Sequence, residues 1–189
     1  MSSILITSPA VEPLSLAEAK AYLRVETDDD DALIGALIAA ARLQVEAQTQ
    51  TALITQGRRL SLDCWPQRGR IAVRPGPLKS LTAARVFDFD GHERNVDPQH
   101  FVIDAGASVL AFAAWAMPAP TRIAAGIELD VTVGFGDAAG DVPEPLRQAM
   151  RLFIAHWYEN RGLIAAGAQA VALPAGAAAL LAPYRMLSL

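Results

Sequence analysis

The stretch "LSLAEAKAYLRVETDDDDALI", residues 14–34, sets four consecutive aspartates between two alanine-containing apolar segments. If those carboxylates bind a cation the segment is a liganding loop; if they begin a helix it is a helical hairpin. Ser15-Leu16-Ala17-Glu18 matches a capping box, in which the serine hydroxyl accepts a first-turn N–H and the glutamate reaches back to the serine N–H. A short helix is predicted from there to about Arg24. Beyond the acids, Leu33, Ile34, Leu37, Ile38, Ala41 and Val45 recur at helical spacing, with Arg42, Gln44, Glu46 and Gln48 mostly elsewhere on the wheel. This predicts a second, longer helix over roughly Asp29 to Thr49. A calcium loop needs a glycine at its sixth position and an acid at its twelfth. Counted from Asp28 the sixth residue is Leu33; counted from Asp30 it is Gly35, but the twelfth is Ala41. The aspartates therefore read as an N-cap and first-turn acids facing the positive end of a helix dipole, each worth about 0.3–1 kcal/mol.

Composition narrows the function classes. The chain has 189 residues, 52% of them apolar, enough for a sizeable core. A net charge of −4 and a pI near 5.3 argue against a nucleic-acid groove as the main working surface, although Arg68 to Arg74 form a local basic spot. The single cysteine, Cys64, has no thiol partner within the chain and suits a reducing cytosol. "MSSILITSPAVEPLSL" lacks a basic leader and is broken by Thr7, Pro9, Glu12 and Pro13, so no export signal is read there. The Ala-rich run from Leu163 to Leu181 is interrupted by Gly167, Gln169, Pro174 and Gly176 and makes a poor membrane span.

From Ala52 the texture changes. "ALITQGRRLSLD", "RIAVRPGPL", "LTAARVFDFDGHERNV", "HFVID", "SVLAFAAW" and "GIELDVTVGF" are short β-branched or aromatic runs punctuated by Gly, Pro and Asp-Gly, the pattern of an antiparallel sheet. Asp90-Gly91 is read as a type I′ hairpin turn. Helix returns in "PEPLRQAMRLFIAHWYENRG", where Leu146, Met150, Phe153, Ile154 and Trp157 share a stripe and Gly162 suits the C-cap. A last short helix is expected near Ala175 to Leu181. The fold class is α+β: N-side helices in 1–51, a β-rich insertion in 52–136, a C-side core helix in 137–162, and a flexible C-terminal segment in 163–189.

Positive signs of chemistry are sparse. "GFGDAAG" at 134–140 follows a strand and matches a dinucleotide fingerprint, but Asp141-Val142-Pro143-Glu144-Pro145 separate it from the next helix, whose N-terminus should hold the pyrophosphate. A strand-to-helix connection is the better reading; a small-ligand or nucleotide-binding enzyme using this loop is the alternative. His92, His100 and His156 lack metal-ligand spacing, and Ser108 has no base readable beside it. The expectation is a protein without catalytic residues, cofactor or metal. Trp157, Tyr158 and Arg161, at one helix end, are of the residue types that either pack a core or anchor a subunit or partner contact.

Two segments, "LSLAEAKAYLRVETDDDDALIGALIAAARLQVEAQT" and "VTVGFGDAAGDVPEPLRQAMRLFIAHWYENRG", together resemble the signature segments of the tailed-bacteriophage head-tail connector (adaptor) family, which includes adaptors of gene transfer agents. The resemblance runs from Leu14 to Arg185 and lies in the order of segments rather than in one motif. It implies a helical core with a β-rich insertion, and subunits in a ring under the portal that extend the DNA channel without sequence-specific binding. The implied partners are the portal protein, a neck stopper or tail-terminator protein, and further copies of the chain, in the neck of a particle assembled in the bacterial cytoplasm, with no membrane. Family members are similar in gripping the portal with a C-terminal segment, which here carries Leu180, Leu181, Tyr184, Arg185, Met186 and Leu187 as aromatic, Arg and apolar anchors.

Overall fold

The computed structural model describes residues 1–160 and 175–186. The chain forms two compact units, Met1–Ala10 with Thr55–Phe135, and Val11–Ile54 with Gly136–Leu189. The first unit is all-β and the second helical, the α+β class expected from the sequence. Residues 1–10, grouped with the helices when the sequence is read alone, instead supply a strand to the β unit.

In the helical unit α1 (Leu16–Leu23) opens on the anticipated capping box: Glu18 N–H donates to Ser15 Oγ at 3.2 Å, and Ser15 N–H to Glu18 Oε2 at 2.9 Å. It ends at Arg24 in the left-handed conformation. α2 (Asp31–Thr49) buries Ile34, Ile38, Ala41 and Val45, one stripe at the spacing that a 3.6-residue period dictates. α3 (Glu144–Glu159) buries Leu146, Ala149, Met150, Phe153 and Ile154, and α4 (Ala175–Leu181) adds Ala177 and Leu181 to the same core. Gly162, read as the cap of α3, lies outside the described residues; Asn160 takes the C-cap position.

The turn after α2 gathers much of this unit. Thr49 and Gln50 end the helix, Gln50 in the left-handed region, and Ala52, Leu53 and Ile54 then run fully buried. Glu46, placed by its sequence on the polar side of the wheel, is 6% exposed. Its Oε1 accepts the Leu53 N–H at 3.0 Å, and its Oε2 faces Arg42 Nη1 at 3.3 Å. Arg42 in turn donates from Nε to Glu12 at 2.8 Å. Ile54 then bridges in parallel to Gly136, so the chain leaves for the insertion and returns from it at adjacent positions.

The β unit holds a five-stranded antiparallel sheet in the order β1 (Ser2–Thr7), β2 (Gln56–Leu62), β8 (Ile127–Val133), β4 (Leu78–Phe87), β5 (Glu93–Val96). A second sheet comprises β3 (Arg70–Ala72), β7 (Val109–Phe112) and β6 (Phe101–Asp104). Alternation sorts the faces. Ile127, Leu129, Val131 and Val133 of β8 are buried beside Leu60, Leu62, Leu78, Ala84 and Val86. On the other face Arg59 grips Asp130 with two hydrogen bonds, 2.6 and 3.0 Å, and Arg85 adds a third at 2.8 Å. The Asp130 carboxyl is held below its ordinary range chiefly by the Arg59 hydrogen bond, against the opposing effect of burial. Trp65, Phe101 and Phe112 form an aromatic trio with centroids 5.1–5.9 Å apart, and the Trp65 indole N–H donates to Pro118 O at 2.8 Å.

One turn differs from its sequence reading. Asp90 does not adopt positive φ; Gly91 alone does, at +86°. Gly91 N–H donates to Asp88 O and Asp88 N–H to His92 O, both at 3.1 Å. The hairpin is thus a three-residue loop whose last residue is left-handed, not a type I′ turn, because only one position needs the conformation that glycine adopts without strain.

Glu46→Ala is expected to lower stability by about 1–3 kcal/mol, since it strands the buried Leu53 N–H. Glu46→Gln keeps an acceptor there and should cost clearly less. Denaturant melts of the two variants check the order.

Candidate assembly surfaces

The C-terminal residues do not behave alike. Leu181 is fully buried, one helical turn from buried Ala177, so it is a core residue of the helical unit rather than a free anchor. Leu180, Tyr184 and Met186 are half-buried and Arg185 is exposed. The Met186 N–H donates to Thr49 O at 3.0 Å, tying the segment to the end of α2. Leu187 and Arg161 lie outside the described residues, as does most of the 163–189 segment expected to be flexible.

Trp157 and Tyr158 are both half-buried. Trp157 stacks on Phe153, centroids 5.6 Å apart at 15°. Tyr158 donates from its hydroxyl to Asp30 Oδ2 at 2.5 Å. That bond revises the reading of the aspartates. Asp30 holds the N-cap position of α2 without a side-chain cap hydrogen bond, and its carboxylate faces α3 instead. Asp28 and Asp31 receive the Lys20 ammonium at 2.6 and 2.7 Å. Hydrogen bonding to Lys20 lowers the Asp28 pKa, and the same bond, with that to Asp31, raises the pKa of Lys20. Three acids thus hold α1, α2 and α3 to one another, a use that capping periodicity alone does not announce. A groove lined by Tyr22, Arg24, Tyr158 and Glu159 opens beside them.

The glycine loop is folded around its own acid. A Cβ at Gly136 would lie 2.2 Å from Asp141 Oδ2, and that oxygen accepts the Ala138 N–H at 2.9 Å. A carboxylate therefore occupies the space beside Gly136 where a dinucleotide fingerprint would bring a phosphate close to backbone. Ser108 is equally structural: buried at φ +55°, it accepts the Leu78 N–H at 2.8 Å on its hydroxyl. His92 meets Asp88 and Asp90 at the hairpin, a grouping that sequence spacing did not reveal; all three are exposed, and Asp88 already accepts the His92 N–H at 2.9 Å.

The β unit exposes large apolar side chains in two places. Ile4, Leu5 and Ile6 of β1 are each about half exposed, at the sheet edge. At the β4–β5 end, Phe89, Ile123 and Trp115 are 75, 86 and 90% exposed. The loop carrying the last two is fixed to this hairpin: Thr121 and Arg122 N–H groups donate to Phe87 O, and Phe89 N–H to Thr121 Oγ1. Trp115 in particular had no signal in its local sequence, since periodicity assigns loop residues to neither core nor surface.

A family model described as phage gp6-like head-tail connector protein matches residues 13–74. The structure of a chain in the neck of a native gene transfer agent particle, computed with C12 symmetry, is 30% identical; the likeness covers 98% of this chain and 97% of that one, at a TM-score of 0.75. The chain belongs to the head-tail connector family. A chain in the neck of an empty gene transfer agent particle, computed with C6 symmetry, matches at 29% identity with a TM-score of 0.81, covering 100% of this chain and 97% of that one. A third, from the virion of a native particle, is 28% identical with the same coverage and TM-score. A comparison with curated protein sequences finds no match.

For this connector, Leu181→Ala is expected to cost about 2–5 kcal/mol, the penalty of a cavity in a closed core. Arg185→Ala should stay within about 0.5 kcal/mol of wild type. Thermal melts that reverse this order would contradict the placement of α4.

Proposed function

We propose that this connector is a structural component of the neck of a tailed phage, prophage or gene transfer agent particle, where copies form a ring between the portal and the next neck or tail protein. The observation that carries the reading is the likeness over nearly the whole chain to a neck subunit at 30% identity. Everything the side chains do supports a scaffold: carboxylates bind helices together, the glycine loop packs on Asp141, and Ser108 holds backbone. The ring extends the DNA channel, and an acidic chain suits a conduit that DNA passes without being held.

The portal contact is made by the exposed and half-exposed part of the C-terminal segment: Leu180, Tyr184, Arg185 and Met186, with Leu187 continuing it. Leu181 anchors that segment from beneath. Trp157, Tyr158 and Arg161 contribute to a subunit or partner contact, Tyr158 lining the groove with Tyr22 and Arg24, since amphipathic side chains supply large contact area at small entropic cost. The ring assembles in the bacterial cytoplasm before the tail is joined. No catalytic step is part of this role.

Cells that make the particle but lack this chain should accumulate DNA-filled heads without tails, and resupplying the full-length chain should restore joined particles. Normal tailed particles in its absence would overturn the reading. Arg185→Ala/Met186→Ala, folded as wild type, should reduce co-purification with the portal ring at least tenfold.

A further inference from the structure

A closed ring of identical subunits needs heterologous contacts, so each copy must carry two different, mutually complementary faces in separate places. The β unit has such a pair. β1 ends the five-stranded sheet on one side, and among the described residues no strand lies beyond it. Its sequence from Ser2 to Thr7 contains no charge and no proline, the usual guards of an open edge; the only irregularity is a register shift between Leu5 and Thr7. Ile4 pairs with Arg59 and Leu5 with Arg58, yet both apolar side chains remain about half exposed, as does Ile6. At the opposite end of the strand order, Phe89 at the β4–β5 hairpin and Trp115 and Ile123 in the attached loop expose large apolar surface. Four strand spacings of about 4.8 Å set the two edges about 19 Å apart, so the two surfaces lie in separate places on the subunit.

We infer that the β1 edge of one copy docks against the end of the next copy that exposes Phe89, Trp115 and Ile123, and that this contact closes the neck ring. The occupant is a second copy of this chain because relatives of the same fold occupy necks computed with C6 and C12 symmetry, where copies stand side by side. The chemistry agrees: the large side chains exposed on both sides are apolar, and an aromatic anchor against an aliphatic edge is the composition that interface centres favour. This inference rests on the neck-ring reading and specifies the surface that makes it.

Full-length Ile4→Lys/Ile6→Lys and Trp115→Lys/Ile123→Lys variants should melt close to wild type, because Trp115 and Ile123 are almost wholly exposed and, at the half-exposed Ile4 and Ile6, a lysine stem can lie on the strand with its ammonium in water. In particle-producing cells each should lower the connector retained on purified particles at least tenfold. A chain carrying Ile4→Cys and Trp115→Cys, with the exposed Cys64 replaced by Ser, should give a ladder of dimers and larger multimers when particles are treated with a short bismaleimide. Either single cysteine should give none. Wild-type retention of both lysine variants, or a double-cysteine chain that runs as monomer in particles holding the normal amount of it, would overturn the inference while leaving the neck reading intact. Particles that keep the Trp115→Lys/Ile123→Lys connector but lose the components beyond it would assign that surface to the next neck protein, also overturning it. Absence of the wild-type chain from particles would instead remove the neck reading itself.

Discussion

A buried carboxylate at the end of α2 is the constraint on which the rest of the helical unit depends. Glu46 accepts the Leu53 N–H, and so fixes the path by which the chain turns from helix into the fully buried Ala52-Leu53-Ile54 run. A buried backbone N–H must find an acceptor, and a side chain is needed where no helix or strand continues to supply one. Two other segments attach at the same turn: the return of the chain at Gly136, through its bridge to Ile54, and the C-terminal segment, through the Met186 N–H to Thr49 O. An insertion whose ends leave and re-enter side by side can vary without disturbing its host.

The β unit is organised by a different rule. Its central strand, β8, is buried on one face by Ile127, Leu129, Val131 and Val133, and on the other carries Glu128 and Asp130 into contact with Arg59 and Arg85. Ion pairs of this kind contribute modestly to stability, because desolvation offsets much of the attraction; their geometric demand fixes the register of β2 and β4 against β8. The two acids of β8 are thus paired within the sheet, while at its extremities the unit leaves several large apolar side chains exposed. Large apolar side chains left exposed on a subunit mark surfaces suited to contact with another chain.

Much of this was legible from residue patterns. α1, α2, α3 and α4 follow from the Ser15–Glu18 capping box, the Ile34–Val45 stripe, the Leu146–Ile154 stripe and the apolar spacing near Leu181. What escaped had physical reasons. β1 is six residues without a preceding turn signal, and its partner β2 lies more than fifty residues later, so no local pattern marks the pairing. Glu46 and Asp30 sit where surface and capping acids sit, and only the approach of Leu53 and Tyr158 gives them their work. Leu181 was indistinguishable from a partner-facing anchor because apolar periodicity reports that a face is covered, not by which molecule. The two edge surfaces need the strand order, which periodicity does not contain.

A reconstruction of the neck of the particle that carries this chain, refined without imposed symmetry, tests the central claim most directly. The account predicts a closed ring of copies, each matching this fold, seated between portal and tail. A neck in which this chain is absent, or present as an isolated copy off the channel axis, would contradict it.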